Sequence, residues 1–156
     1  MSRRRKSYKR AITPDPRYNS ELVTKVISAL MRSGKKTTAE RIVYGALDVL
    51  AEKTGQDPLE VMDTAINNMK PKVEVKSRRV GGTTYQVPVE IRPSRQLAMA
   101  LRWLVQYASG RRGVPMPRAV ALEMLEAFEG QGNVIKKRDD THRMAQANKA
   151  FAHYAW

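Results

Sequence analysis

Residues Lys72 to Arg95 read KVEVKSRRVGGTTYQVPVEIRPSR, and the rest of the chain is arranged about them. Val73 and Val75 alternate with polar residues, as do Val87, Val89 and Ile91. A period of two puts each set on one face of a strand. Gly81-Gly82 lies between the sets, where a hairpin reverses. Directly opposed residues of an antiparallel pair project to the same side. A two-residue Gly81-Gly82 loop sets Val75 against Pro88 and Val87 against Lys76, which mixes the faces. A three-residue loop, Val80-Gly81-Gly82, pairs Val75 with Val87 and Val73 with Val89, with Gly82 in the left-handed position. The expected register is the three-residue one, and a bulge is the way to the other.

No other stretch reads clearly as strand, and a lone two-stranded ribbon is marginally stable in water. Its apolar face is expected to lie on helices near its base. Its distal part carries Lys76, Arg78 and Arg79 with Tyr85 close by. That is a cationic, aromatic-tipped finger roughly 25 Å long at ~3.3 Å per residue. Solvated charges that merely protect strand edges are the plainer reading, but edge protection needs only a charge or two.

The 156 residues suit one domain. With no cysteine there is no disulfide framework, thiolate metal site or cysteine nucleophile. No apolar run approaches the roughly 18 residues of a membrane span, and the basic N-terminus lacks the apolar segment of a secretory signal. Net charge is +14. Such an excess repels itself in a compact fold, and a polyanion, above all nucleic acid, is its natural counterweight. Residues 40–63 hold six acids against Arg41 and Lys53, a net of −4, which leaves +18 for the remainder. One pair of helices is thus acidic, free to face water or a basic neighbour.

The chain begins with six cations in its first ten residues, Arg3, Arg4, Arg5, Lys6, Lys9 and Arg10, followed by Pro14 and Pro16. Residues 1–17 are expected to be a basic arm, disordered when alone, and 18–156 a single helical domain that includes the hairpin arm at 72–92. The first helix is capped by Asn19-Ser20 and apolar at Leu22, Val23, Val26, Ile27 and Leu30. Lys35-Lys36 opens the second helix, where cations oppose the dipole; an anion there would relieve the cost, which suggests a phosphate site. GKKT is not a P-loop: position 29 is alanine, position 36 is lysine, and a helix precedes it. Thr54-Gly55 ends helix two, and Asp57-Pro58-Leu59-Glu60 opens helix three as a capping box. Helix four runs from Arg95 to Ser109, with Trp103 read as core and Arg95 and Arg102 on the polar side. A basic turn, Gly110-Arg111-Arg112-Gly113, precedes helix five, with Val120, Ala121, Met124, Leu125 and Phe128 inward. Lys136-Lys137-Arg138 is the third cationic cluster. Asp139-Asp140 is expected at the start of a last helix that carries Met144, Ala147, Phe151 and Tyr154. Asp139 beside His142 is a weak metal signal, because His153, eleven residues on, lies too far along a helix to be a second ligand.

The pattern resembles the bacterial type of small-subunit ribosomal protein seven. The resemblance covers nearly the whole chain and is densest at GKKTTAERIVYGAL (34–47), VEVKSRRVGGTTYQVPVEIRP (73–93), ALRWLV (100–105) and RMAQANKAFAHY (143–154). The turn from Gly110 to Pro117 departs from the usual pattern, and so does Ala155, which stands where the family usually has Arg before the final Trp156. The resemblance implies a mainly α, six-helix single domain with a protruding two-stranded β-hairpin between helices three and four and a basic N-terminal arm. It implies binding to the 3′ major domain of small-subunit ribosomal RNA early in head assembly. Neighbours would be proteins nine, thirteen and nineteen of the head and protein eleven of the platform, in cytoplasmic ribosomes. Arg78, Arg79, Gly81, Gly82 and Tyr85 would form a finger near the exit-site tRNA and the messenger path. The arm cations, Lys35, Lys36, Lys72, Lys76, Arg95, Arg102, Arg111, Arg112, Lys136, Lys137 and Arg138 would grip ribosomal RNA.

No nucleophile with an adjacent base, acid pair in an apolar setting or metal cluster is legible, so neither an enzyme nor a cofactor or metal is expected. Two rivals remain. An architectural DNA-binding protein with a β-ribbon reader has the same charge; a nucleic-acid enzyme would need clustered carboxylates.

Overall fold

The computed structural model describes residues 11–154, so the arm cations from Arg3 to Arg10 lie outside the described residues. Six α-helices are present: α1 (Glu21–Leu30), α2 (Lys36–Thr54), α3 (Pro58–Met69), α4 (Pro93–Gly110), α5 (Met116–Phe128) and α6 (Gly132–Ala147). Strands β1 (Val73–Val80) and β2 (Thr83–Glu90) form one antiparallel hairpin between α3 and α4, and a 3-10 turn spans Lys149–Tyr154. The mainly helical, hairpin-bearing architecture expected from the sequence is the one observed.

Local chemistry accounts for the boundaries. Asp57 caps α3 by accepting from the Leu59 N–H at 3.1 Å, with Pro58 at the first helical position. Gly55 closes α2 in the left-handed conformation. α5 sits at the centre, against α2, α3, α4 and α6. Its small residues Ala119, Ala121 and Ala127 are fully buried and let neighbours approach. Gly45 of α2 is one such approach: a methyl group there would stand 3.2 Å from Pro117 Cβ. Val120, Ala121 and Met124 of its expected inward face are buried, but because α5 is enclosed on several sides its buried surface is wider than a single stripe. Leu125 and Phe128 are only partly buried, whereas Glu123 is 1 % exposed.

Two expectations are corrected. The hairpin takes the two-residue Gly81-Gly82 loop, pairing Val75 with Pro88, Lys76 with Val87 and Glu74 with Val89. Both glycines have positive φ, 57° and 89°, as a tight reversal between right-twisted strands requires. The mixed face that argued against this register is made tolerable by one ion pair. Glu74, which shares a side with Val87, is buried but held by Arg95 at 2.9 Å. The last helix likewise starts at Gly132, not near Asp139, so Lys136 to Asp140 lie within it. It stops at Ala147, and Phe151 and Tyr154 belong to the 3-10 turn. There Tyr154 stacks on Tyr85 of β2, ring centroids 4.8 Å apart, and Phe151 meets the same ring at 5.5 Å. Arg78 donates to the Tyr154 carbonyl. The aromatic of the finger is therefore packed under the end of the chain.

Candidate nucleic-acid interface

α4 organises the cationic surface. Arg95, Arg102 and Ser109 recur at intervals of seven, which on a 3.6-residue helix is nearly two whole turns. All three are exposed and lie on one stripe about 21 Å long at 1.5 Å per residue. At the near end, Arg95 grips Glu74 with its Nε and NH2 groups, and Lys76 Nζ reaches the same carboxylate at 3.4 Å. Those hydrogen bonds from Arg95 hold the Glu74 carboxyl below the usual carboxylate range, against the opposing effect of burial. The pair docks the hairpin root on α4. At the far end Arg32, between α1 and α2, donates to Ser109 Oγ at 3.2 Å.

A cleft of about 370 Å³ opens beside that bond, lined by Leu30, Arg32, Lys35, Thr38, Val105 and Met116 among others. Lys35 and Lys36 are exposed there, and α2 begins with no side-chain cap and no acid in its first turn. Among the described residues, the Lys36 ammonium is tethered by the (i, i+4) contact to Glu40 at 3.5 Å. Lys35, Arg32 and Ser109 near the end of α4 thus converge although Arg32 and Ser109 are 77 residues apart in sequence.

The expected site residues divide by their partners. Lys72, Lys76, Arg79, Arg102, Arg112 and Lys136 are exposed, and Gly81 and Gly82 form the bare tip. Lys137 is half-buried in a groove with Met99, Trp103 and Met144; Trp103 is core, as expected. Arg111 is turned inward: Nε pairs with Glu123 at 2.7 Å and NH2 with Glu126 at 2.5 Å. Arg138 donates to the Asn68 carbonyl at 2.6 Å and pairs with Asp139, which ties α6 to α3. Arg78 and Tyr85 are half-buried beneath the 3-10 turn. His142 Nε2 accepts the Lys72 N–H at 2.9 Å at the hairpin root. Burial and then Arg138 push its pKa down, so the neutral, accepting ring is favoured.

Sequence reasoning missed Arg32, Arg143 and Lys149. The last two line a groove with Lys72, Val73 and His142 on the other side of the hairpin root. The heptad of α4 was the one signal for Arg32, because it marks Ser109 as the continuation of the arginine stripe.

The family model described as ribosomal protein S7p/S5e matches residues 2–149. The chain belongs to this family. Among curated S7 proteins, the small ribosomal subunit protein uS7 of Idiomarina loihiensis is 59% identical over the full length of both chains. Those of Dictyoglomus turgidum and Sorangium cellulosum are 57% and 56% identical, again over all of both chains. No helix among the described residues of this S7 chain is long and apolar enough to cross a membrane.

Proposed function

We propose that this S7 family member is a structural constituent of the small ribosomal subunit, in cytoplasmic ribosomes, and a primary binder of the 3′ major domain of its RNA that nucleates head assembly. The observation that carries the reading is the stripe from the hairpin root through Arg95 and Arg102 to Arg32 and Lys35. It runs along one rigid helix and ends on uncapped amides, which suits a phosphate backbone. Folded RNA is read mainly through shape, backbone and 2′-hydroxyls, so separate cationic patches on a stiff body bind where RNA helices converge. Arginines supply forked phosphate contacts and lysines point charges. Lys72, Lys76, Arg112, Lys136, Lys137 and the arm cations extend the grip. The bare Gly81-Gly82 tip with Arg79 points to the exit-site tRNA and messenger path, and head proteins nine, thirteen and nineteen and platform protein eleven are the neighbours. The division into a basic arm and one helical domain belongs to the same reading.

Filter binding at matched salt, comparing the 3′ major domain RNA with duplex DNA of equal charge, tests it. The expected result is preference for the RNA. It is lost on Lys35→Glu with Arg102→Glu, both exposed, and the salt slope falls by about 0.7–0.9 per contact removed. Equal affinity for the DNA would instead support an architectural DNA-binding protein.

A further inference from the structure

The cleft beside the Arg32–Ser109 bond has a floor that a phosphate backbone does not use. Four elements supply it: Leu30 from the end of α1, Ala39 and Ile42 from α2, Val105 from α4 and Met116 from the start of α5. Leu30 and Ala39 are buried, and the other three are half-buried with a side open to the cleft. The rim is polar: Arg32, Lys35, Thr38 and Ser109 are exposed around it. Among the described residues no acid lines the cleft. The link from α1 to α2 is bent tightly enough to put Ser33, not a glycine, at φ 51° ahead of Gly34 at 72°. The Lys35 N–H thereby returns to the Arg32 carbonyl at 3.0 Å, which keeps the two cations together. The bond from Arg32 to Ser109 Oγ at 3.2 Å then pins the guanidinium across to α4. Apolar surface left open to water is unfavourable, and phosphate contacts alone gain nothing from it.

We infer that this cleft takes one unstacked nucleotide of RNA, its base on the apolar floor and its phosphate against Arg32 and Lys35. The inference rests on the RNA-binding reading above and gives that surface a seat for a base. The volume of about 370 Å³ lies at the low end of the roughly 300–1,000 Å³ of small-molecule pockets, the scale of a single nucleotide. Sequence-specific recognition of RNA takes place where bases are splayed out of the stack, and a guanidinium plane is one of the surfaces on which they rest. The Thr38 and Ser109 hydroxyls both donate and accept, so they suit the edge of any base. The approach is already cationic. Val105 and Ser109 lie one turn apart on α4, and Arg102 precedes Val105 by one turn on the same side. A backbone laid on the arginine stripe therefore meets the cleft about 10 Å beyond Arg102, at 1.5 Å per residue. A regular duplex keeps its bases stacked inside and offers none to the floor, so the occupant comes from a bulge, a loop or a strand end.

RNA duplexes of equal length and charge test it, each with one bulged residue: A, G, C, U or an abasic sugar. Their binding to the full chain is measured at matched salt. The expected result is that at least one base-bearing bulge binds about tenfold tighter than the abasic one, within the range that a stacked base contributes. Val105→Phe fills the floor from a half-buried position. It should remove the difference and leave the abasic duplex with the same affinity and the same salt slope, because no phosphate contact is lost. Arg32→Lys, at an exposed position, keeps the charge and removes the flat stacking group, so it too should reduce the preference. It carries the comparison if Val105→Phe lowers the thermal midpoint. Equal binding of all the duplexes overturns the inference. A preference that survives undiminished in the folded variants overturns it as well, because the base then lies elsewhere. So does an equal loss on every duplex, which marks a phosphate contact alone. The comparison of 3′ major domain RNA with DNA keeps the two readings apart. Its failure with the bulge preference intact sinks the ribosomal reading and leaves the cleft standing; the reverse removes the cleft alone.

Discussion

Replacing Arg111 with methionine keeps an unbranched apolar stem in place of the arginine's and removes its charge. In the intact protein Glu123 is 1 % exposed, and one oxygen is held by Arg111 while the other, Oε2, has no hydrogen-bond partner among the described residues. Burial pushes this carboxyl above the usual range although Arg111 opposes the shift. Arg111→Met leaves a buried charge without its counter-ion, which costs about 3–5 kcal/mol. Against a total stability of about 5–15 kcal/mol for a domain this is a large fraction. At roughly 2–4 °C per kcal/mol, the midpoint should fall by about 10 °C at pH 7. The sign with pH follows from the raised pKa. A carboxyl that protonates more readily in the fold stabilises it fully below its free value of 4.5, and that stability is lost as pH rises through the folded value. The deficit should therefore shrink between pH 7 and pH 5. Adding Glu123→Leu should recover most of it, because an apolar residue of similar volume needs no partner. Thermal unfolding by circular dichroism at the two pH values measures all of this. A loss below about 1 kcal/mol, or one that does not change with pH, would refute the account of Glu123 as a buried charge held by Arg111.

Glu74 has the opposite sign. Its carboxyl is held low by Arg95, so the pair stabilises the hairpin root above the free value of 4.5 and that contribution fades as pH falls through the folded value; amide protection in β1, measured relative to the intrinsic exchange rate at each pH, should fall on acidification in that window, and Glu74→Gln should abolish the dependence. Tyr85→Ala removes two ring contacts of about 0.5–1.5 kcal/mol each, and limited proteolysis should then cut near Lys149 faster while the helical midpoint is little changed. Gly82→Ala at φ 89° should cost the hairpin about 1–2 kcal/mol, seen as faster exchange at Val80 and Thr83 with no loss of helix.

The helices were legible because their ends carry local chemistry: Asp57-Pro58 and Gly55 act on their own neighbours, and the apolar stripe of α1 faces one core. The hairpin was legible as an element, but its register was not. Alternation favours the pairing that collects valines, and only a residue 21 positions away, Arg95, makes a buried Glu74 acceptable. The start of α6 was missed because acids such as Asp139-Asp140 mark helix starts only on average. Here they sit mid-helix, where Arg138 and Arg143 meet them. Among the candidate contacts, sequence counts every cation alike. It could not separate the exposed Arg102 from Arg111, whose partners lie 12 and 15 residues further along α5.

The stacking of Tyr85 on Tyr154 sets an order of events. Synthesis is vectorial, and the helices up to α5 can begin to pack as they emerge. The ring that seats Tyr85 lies 69 residues later, beyond α6. Tyr85 therefore has no seat until α4, α5 and α6 have all been made, whereas the hairpin root can already dock on α4 through Arg95.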